Sequence, residues 1–149
     1  MKKLAKILIL FLAILVILAV GFIFLQLIPY GKNHTNPAVV LEPPWDSKVT
    51  RELAQRACFD CHSNETIWPW YSKIAPVSWL VQRDVDEGRE KLNFSEWNRK
   101  TEFEELDEVG EVIQEGEMPP LTYYPTHPEA RLSNSEKQQL IQGLQNSLR

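Results

Sequence analysis

Two cysteines occur in this chain of 149 residues, Cys58 and Cys61, and His62 follows the second directly. Three chemistries suit such a cluster: a redox dithiol, part of a metal site, or a two-point attachment to the edge of a porphyrin whose iron takes the histidine. On a helical turn, residues three and four apart share a face, with Cβ atoms roughly 5–6 Å apart. Both thiols can then reach the two vinyl groups on one porphyrin edge, and His62, four residues after Cys58, lies over the ring. Cys58-Phe59-Asp60-Cys61-His62 is therefore the C-x-x-C-H pattern of covalent haem c attachment, one haem per chain, with His62 as proximal iron ligand. A four-thiolate zinc site needs a second cysteine pair, which the chain lacks. A Cys-Cys-His-His zinc site using His62 or His127 would ask adjacent Cys61 and His62 to ligate one tetrahedral ion. A thiol–disulfide oxidoreductase using Cys58 and Cys61 is the stronger rival, but such enzymes carry the motif after a strand in a βαβ unit, and no strand pattern precedes Cys58.

An electron-transfer haem usually has a sixth ligand. Met118, the only methionine besides Met1, stands in Gly-Glu-Met-Pro-Pro. Pro119 disfavours helix at Met118 and Pro120 stiffens the next stretch of chain, a setting that would hold a thioether at one position as distal ligand and raise the reduction potential. His127 is the alternative distal ligand, and His34 falls in a segment expected to be a tether. An open sixth position would instead make the protein a haem-based sensor or enzyme; an electron carrier is the expectation. Trp68, Trp70, Tyr71, Trp79 and Trp97 are candidates for excluding water from the pocket or for ordinary core. Tyr123, Tyr124, Arg83, Arg89 and Lys73 are candidate partners for haem propionates or the distal side.

The elements that must position these residues begin with an uncharged run of 22, residues 7–28. As a helix it would be about 33 Å long, enough for a bilayer core of roughly 30 Å. Ala19-Val20-Gly21 offers a signal-peptidase site, but the apolar run continues past it, so an uncleaved anchor is expected. Lys2, Lys3 and Lys6 before the span, against Lys32 behind it, place residues 1–6 in the cytoplasm. The reading is a single-pass protein of the cytoplasmic membrane, with residues 29–44 as an extended tether and residues 45–149 as a haem-binding domain on the periplasmic or extracellular side. Residues 33–149 hold 12 basic and 20 acidic residues, a formal −8 that the chain-wide −4 conceals. That exterior argues against nucleic acid as a partner, and the expected partners are the membrane and unidentified redox proteins.

Helical periodicity and caps recur through the domain. Val49, Leu53, Ala54 and Ala57 share a face behind an Asp46 or Ser47 cap. Residues 77–91 form a second helix with Ser78 as cap and Gly88 near its end. Residues 93–116 form a third, or two with a break near Lys100, with a capping box from Thr101 to Glu104, an apolar face of Phe103, Leu106, Val109 and Ile113, and Gly116 as stop. A capping box from Ser133 to Glu136 opens a last helix with Leu140, Ile141, Leu144 and Leu148 inward. No segment alternates with period two. The fold class is all-α: a small cytochrome c-like helical domain with long irregular loops, preceded by one N-terminal transmembrane helix.

Beyond the pentapeptide, further elements stand in order: Ser63 and Asn64 after His62, Thr66, Pro69-Trp70-Tyr71, Ala75-Pro76, Ser78-Trp79, Gly88-Arg89, Asn93-Phe94-Ser95, Met118-Pro119, His127 and Leu132-Ser133. Together they resemble a bacterial haem-binding domain family with a C-x-x-C-H motif, known largely from membrane-anchored or exported proteins, over about residues 45–145. The resemblance implies covalent haem c on Cys58 and Cys61 with His62 on the iron, and says little about reaction or partner. Gly-Glu-Met-Pro-Pro is also similar to the methionine loop of class I cytochromes c.

Overall fold

The computed structural model describes residues 2–97 and 104–147, with backbone alone for 104–107. Among them the chain is all-α, and the chain divides into two compact units, Met1–His34 with Pro69–Arg83 and Thr35–Trp68 with Asp84–Arg149.

In the first unit, α1 spans Lys2–Leu25 and buries no residue. It is long and apolar enough to cross a membrane. The helix ends three residues before the uncharged run does, with Gln26 and Leu27 in a turn, because Pro29 turns the chain towards extended geometry. The Gln26 side chain then bonds twice to the backbone of Ala75: its Nε2 donates to the Ala75 carbonyl at 2.9 Å, and its Oε1 accepts from the Ala75 amide at 3.0 Å. A 3-10 turn, Trp70–Lys73, precedes α4, Val77–Lys91. Gly31, at φ +75°, lies so close to Ser78 that a Cβ there would stand 2.6 Å from the Ser78 carbonyl oxygen.

In the second unit, α2 (Lys48–Ala57) is capped by Ser47, whose Oγ accepts from the Thr50 amide at 3.1 Å. Its buried stripe is Thr50, Leu53, Ala54 and Ala57, while Val49 is exposed. The face is rotated from the expected one because Thr50 packs on Gly143 of α6 (Asn134–Ser147), where a Cβ would come within 2.1 Å of the Thr50 Oγ1. α6 opens with the expected capping box, Ser133 N donating to the Glu136 carboxylate at 2.7 Å and Glu136 N to the Ser133 Oγ at 3.3 Å. It packs on α2 and on α5, Glu104–Glu115, which Gly116 ends at φ +79°. The Thr101 box, the break near Lys100, Phe103, the Leu106 side chain and Leu148 lie outside the described residues.

Leu53, Ala54, Phe59, Phe94, Ile113, Leu140 and Leu144 form the core, with Trp45, Cys58, Val109 and Trp97 packed against it. Phe94 is its hub, with ring centroids 5.3 Å from Trp45, 5.5 Å from Phe59 and 6.4 Å from Trp97. The stretch expected as a tether is extended, and its second half is tied into this unit. The amides of Val40 and Leu41 donate to the Ser95 carbonyl at 2.8 and 3.1 Å, and Trp97 N donates to the Leu41 carbonyl at 3.0 Å.

Candidate haem-attachment site

α2 runs directly into the motif. Cys58 N closes the last turn of α2 on the Ala54 carbonyl at 2.8 Å, and Cys58 then leads into the one-turn helix α3, Phe59–His62. The Cys58 carbonyl accepts from Cys61 N at 3.2 Å and His62 N at 2.9 Å, so both sulfurs and the imidazole arise from one helical turn, as the spacing requires. Phe59, between the cysteines, is buried in the core and fixes the turn from below. From the other end, Phe94 N donates to the His62 carbonyl at 2.8 Å, the Ser63 Oγ to the Phe59 carbonyl at 2.7 Å, and Asn64 N to the Ser95 Oγ at 2.9 Å.

Cys58 and Cys61 are free thiols, partly exposed. Burial of the sulfurs pushes both thiols up to about 12, helped at Cys58 by Cys61 and at Cys61 by Asp84 and Asp60. A catalytic dithiol needs the reverse shift, because the thiolate is the attacking species. The His62 Nδ1 lies 3.1 Å from the Leu92 carbonyl oxygen. A carbonyl can only accept, so Nδ1 carries the proton and Nε2 presents its lone pair. Burial holds His62 below the ordinary imidazole range, against the opposing pull of the Leu92 and Gly88 carbonyls, which favours the neutral ring. Two unpaired thiols and a neutral Nε2 on one turn fit the donor set for haem, with Leu92 supplying the orienting second contact common to ligating histidines.

Gly88 lies in the last turn of α4, near its end as expected, and against the motif. A Cβ there would stand 2.5 Å from the Cys61 carbonyl oxygen and 3.0 Å from its Cβ, so glycine lets the helix backbone touch the attachment turn. Arg89, a candidate propionate partner, is engaged on the loop after the motif: Nε donates to the Ser63 carbonyl at 2.8 Å, and Nη2 to the Thr66 Oγ1 at 2.9 Å and the Asn36 Oδ1 at 3.0 Å.

Asp60 is the site residue that the motif alone hides. Its Oδ1 accepts from Ile67 N at 2.8 Å, and its Oδ2 accepts from the Tyr123 hydroxyl at 2.5 Å, with the His127 Nε2 at 3.8 Å. The rings of Tyr123 and His127 stack at 3.9 Å and 6°. Burial, then the bond to Asp60, pushes the Tyr123 phenol up. The loop after α5 is thus brought to the motif by Tyr123 and His127. Met118 is anchored through its backbone, its amide donating to the Val112 carbonyl at 3.1 Å, and it remains 40% exposed. Among the aromatics, Trp97 is core, the Trp68 Nε1 donates to the Asn36 Oδ1 at 3.1 Å, and Trp70, Tyr71 and Trp79 belong to the first unit. Tyr124 receives the Arg131 guanidinium over its ring at 5.4 Å.

An all-α unit built on a C-x-x-C-H turn, with an oriented histidine and unpaired thiols, defines a haem-binding class of domain. The chain belongs to the haem-binding domain family, whose pattern it matches over residues 20–146. No curated protein and no solved structure matches the chain.

Proposed function

We propose that the protein is a membrane-anchored monohaem c-type cytochrome that carries single electrons, with its domain on the periplasmic or extracellular side. Cys58 and Cys61, through thioethers, and His62 and Met118, as iron ligands, would hold haem c, which would supply a one-electron iron couple. The observation that carries this reading is the His62 hydrogen bond to Leu92, which leaves Nε2 as a donor on the same turn as two free thiols. Phe59 and Phe94 hold that turn against a shared core. Met118 is favoured over His127 as distal ligand, because the latter is stacked on Tyr123 with its Nε2 facing Asp60. α1 would be the anchor, with Lys2, Lys3 and Lys6 on the cytoplasmic side.

The test is extraction of the export-matured, full-length protein with acid–acetone, then intact mass measurement. Haem absorbance that stays with the polypeptide, and a mass raised by one haem, are expected. Extractable haem would overturn covalent attachment. A mass lowered by two hydrogens would instead assign Cys58 and Cys61 to thiol–disulfide chemistry.

A further inference from the structure

Charge divides cleanly between the two units. Met1–His34 and Pro69–Arg83 contain six basic residues and no aspartate or glutamate, whereas the other unit holds ten basic residues and all 20 acidic ones. Residues 69–83 are far from the span in sequence, yet they share its unit and its lack of acid. They are also fastened to its end, by the paired hydrogen bonds of Gln26 with Ala75 and by the close approach of Gly31 to Ser78.

This fastened segment exposes apolar side chains that a water-facing turn has no reason to carry. Trp70 is 75% exposed and Leu80 54%, with Ile74 and Val77 also open, while Leu27, Ile28 and Tyr30 are open just beyond α1. Val77 and Leu80 lie three apart on the first turns of α4, Ile74 stands just before that helix, and Lys73 is exposed beside them. Exposed aromatic and apolar side chains beside a span, in a stretch (69–83) that holds basic residues and no aspartate or glutamate of its own, are the composition of a segment lying in a bilayer interface.

Building on the reading of α1 as a membrane span, we propose that the 3-10 turn Trp70–Lys73 and the first turns of α4 form a second, interfacial contact with the bilayer, entering its headgroup layer with Trp70, Ile74, Val77 and Leu80. Continuity with the span selects lipid as the occupant, since the Gln26–Ala75 clamp sits where α1 ends. The lack of acid suits a surface that carries anionic headgroups.

The full-length protein, reconstituted in phosphatidylethanolamine–phosphatidylglycerol vesicles, tests this with a photoreactive diazirine amino acid placed singly at Leu15, Trp70, Leu80 or Gln139. All four sites are exposed, and unchanged far-ultraviolet circular dichroism checks folding. Lipid adducts are expected at Leu15, Trp70 and Leu80, and their loss at Gln139 on α6. Adducts at Leu15 but not at Trp70 or Leu80 would overturn the interfacial contact while leaving the span intact. Absence of lipid adducts at Leu15 would overturn the span, and the proposal with it. Adducts from Trp70 and Leu80 to a second copy of the chain or to haem, or equal lipid labelling at Gln139, would also overturn it.

Discussion

The attachment turn and the methionine loop are held by different means. Residues 58–62 are fixed from several directions: Phe59 in the core, the His62 carbonyl on Phe94 N, its imidazole on Leu92, and Gly88 of α4 against Cys61. The loop after Gly116 carries Met118 on a backbone bond to Val112 and reaches the turn through Tyr123 and His127. The contrast teaches that the residues proposed as proximal donors are positioned by the fold itself, whereas the proposed distal side depends on a loop with few buried apolar contacts, the kind of segment that opens most easily. Substitutions on the turn should therefore cost stability, and substitutions on the loop should change ligation more than folding.

The largest effect is expected from Gly88→Ala. The new methyl group would meet backbone, 2.5 Å from the Cys61 carbonyl oxygen, and backbone yields less readily than a side-chain tip. A loss of about 3 kcal/mol is expected from such overpacking, read by urea unfolding of the detergent-solubilised chain, with less haem retained on the polypeptide. A change below ~0.5 kcal/mol would show that the turn gives way, and would erase its contrast with the loop.

That contact also marks the boundary of what the sequence makes legible. The C-x-x-C-H turn, the Ser47 cap and the Ser133–Glu136 box are set by residues a few positions apart, so spacing suffices to read them. Gly88 reads in sequence only as a glycine near the end of its helix, which is where it lies; its contact with Cys61 spans two elements and leaves no local mark. Asp60 and Tyr123 are 63 residues apart, and an aspartate within the motif looks like any solvated charge until its partner is known. Periodicity puts Val49 on the wrong face because a helical stripe can be shifted by one residue without losing its period, and the packing of Gly143 on Thr50 decides which phase is buried. The prolines of residues 29–44 are enough to give their extended course, but not their pairing with Ser95.

Tyr123→Phe should have a middling effect. It keeps the ring stacked on His127 and removes the hydroxyl that Asp60 accepts, leaving a partly buried carboxylate oxygen one donor short. Hydrogen bonds to charged groups contribute about 1.5–3 kcal/mol, and the partial exposure of Asp60 places this one near the lower end. Unfolding by urea would measure it. An unchanged midpoint would mean that the loop is held to the domain by other contacts, and that the turn and loop are less separate than their hydrogen bonds imply.

Met118→Ala should have the smallest effect on stability and the clearest on ligation. The side chain is 40% exposed, so loss of its packing alone, read on the haem-free chain, should cost under ~0.5 kcal/mol, as for surface sites away from special features. If its sulfur is the sixth ligand, the same variant should have a lower reduction potential, since the thioether favours ferrous iron, and the reduced protein should bind carbon monoxide where the unmodified protein does not. Rapid carbon monoxide binding by the unmodified protein would point to an open position and to a sensor or enzyme. Binding created by His127→Ala but not by Met118→Ala would transfer the distal role to His127. A variant that loses stability with its ligation unchanged would make Met118 a packing residue, and the loop would then be part of the fold in the same sense as the turn.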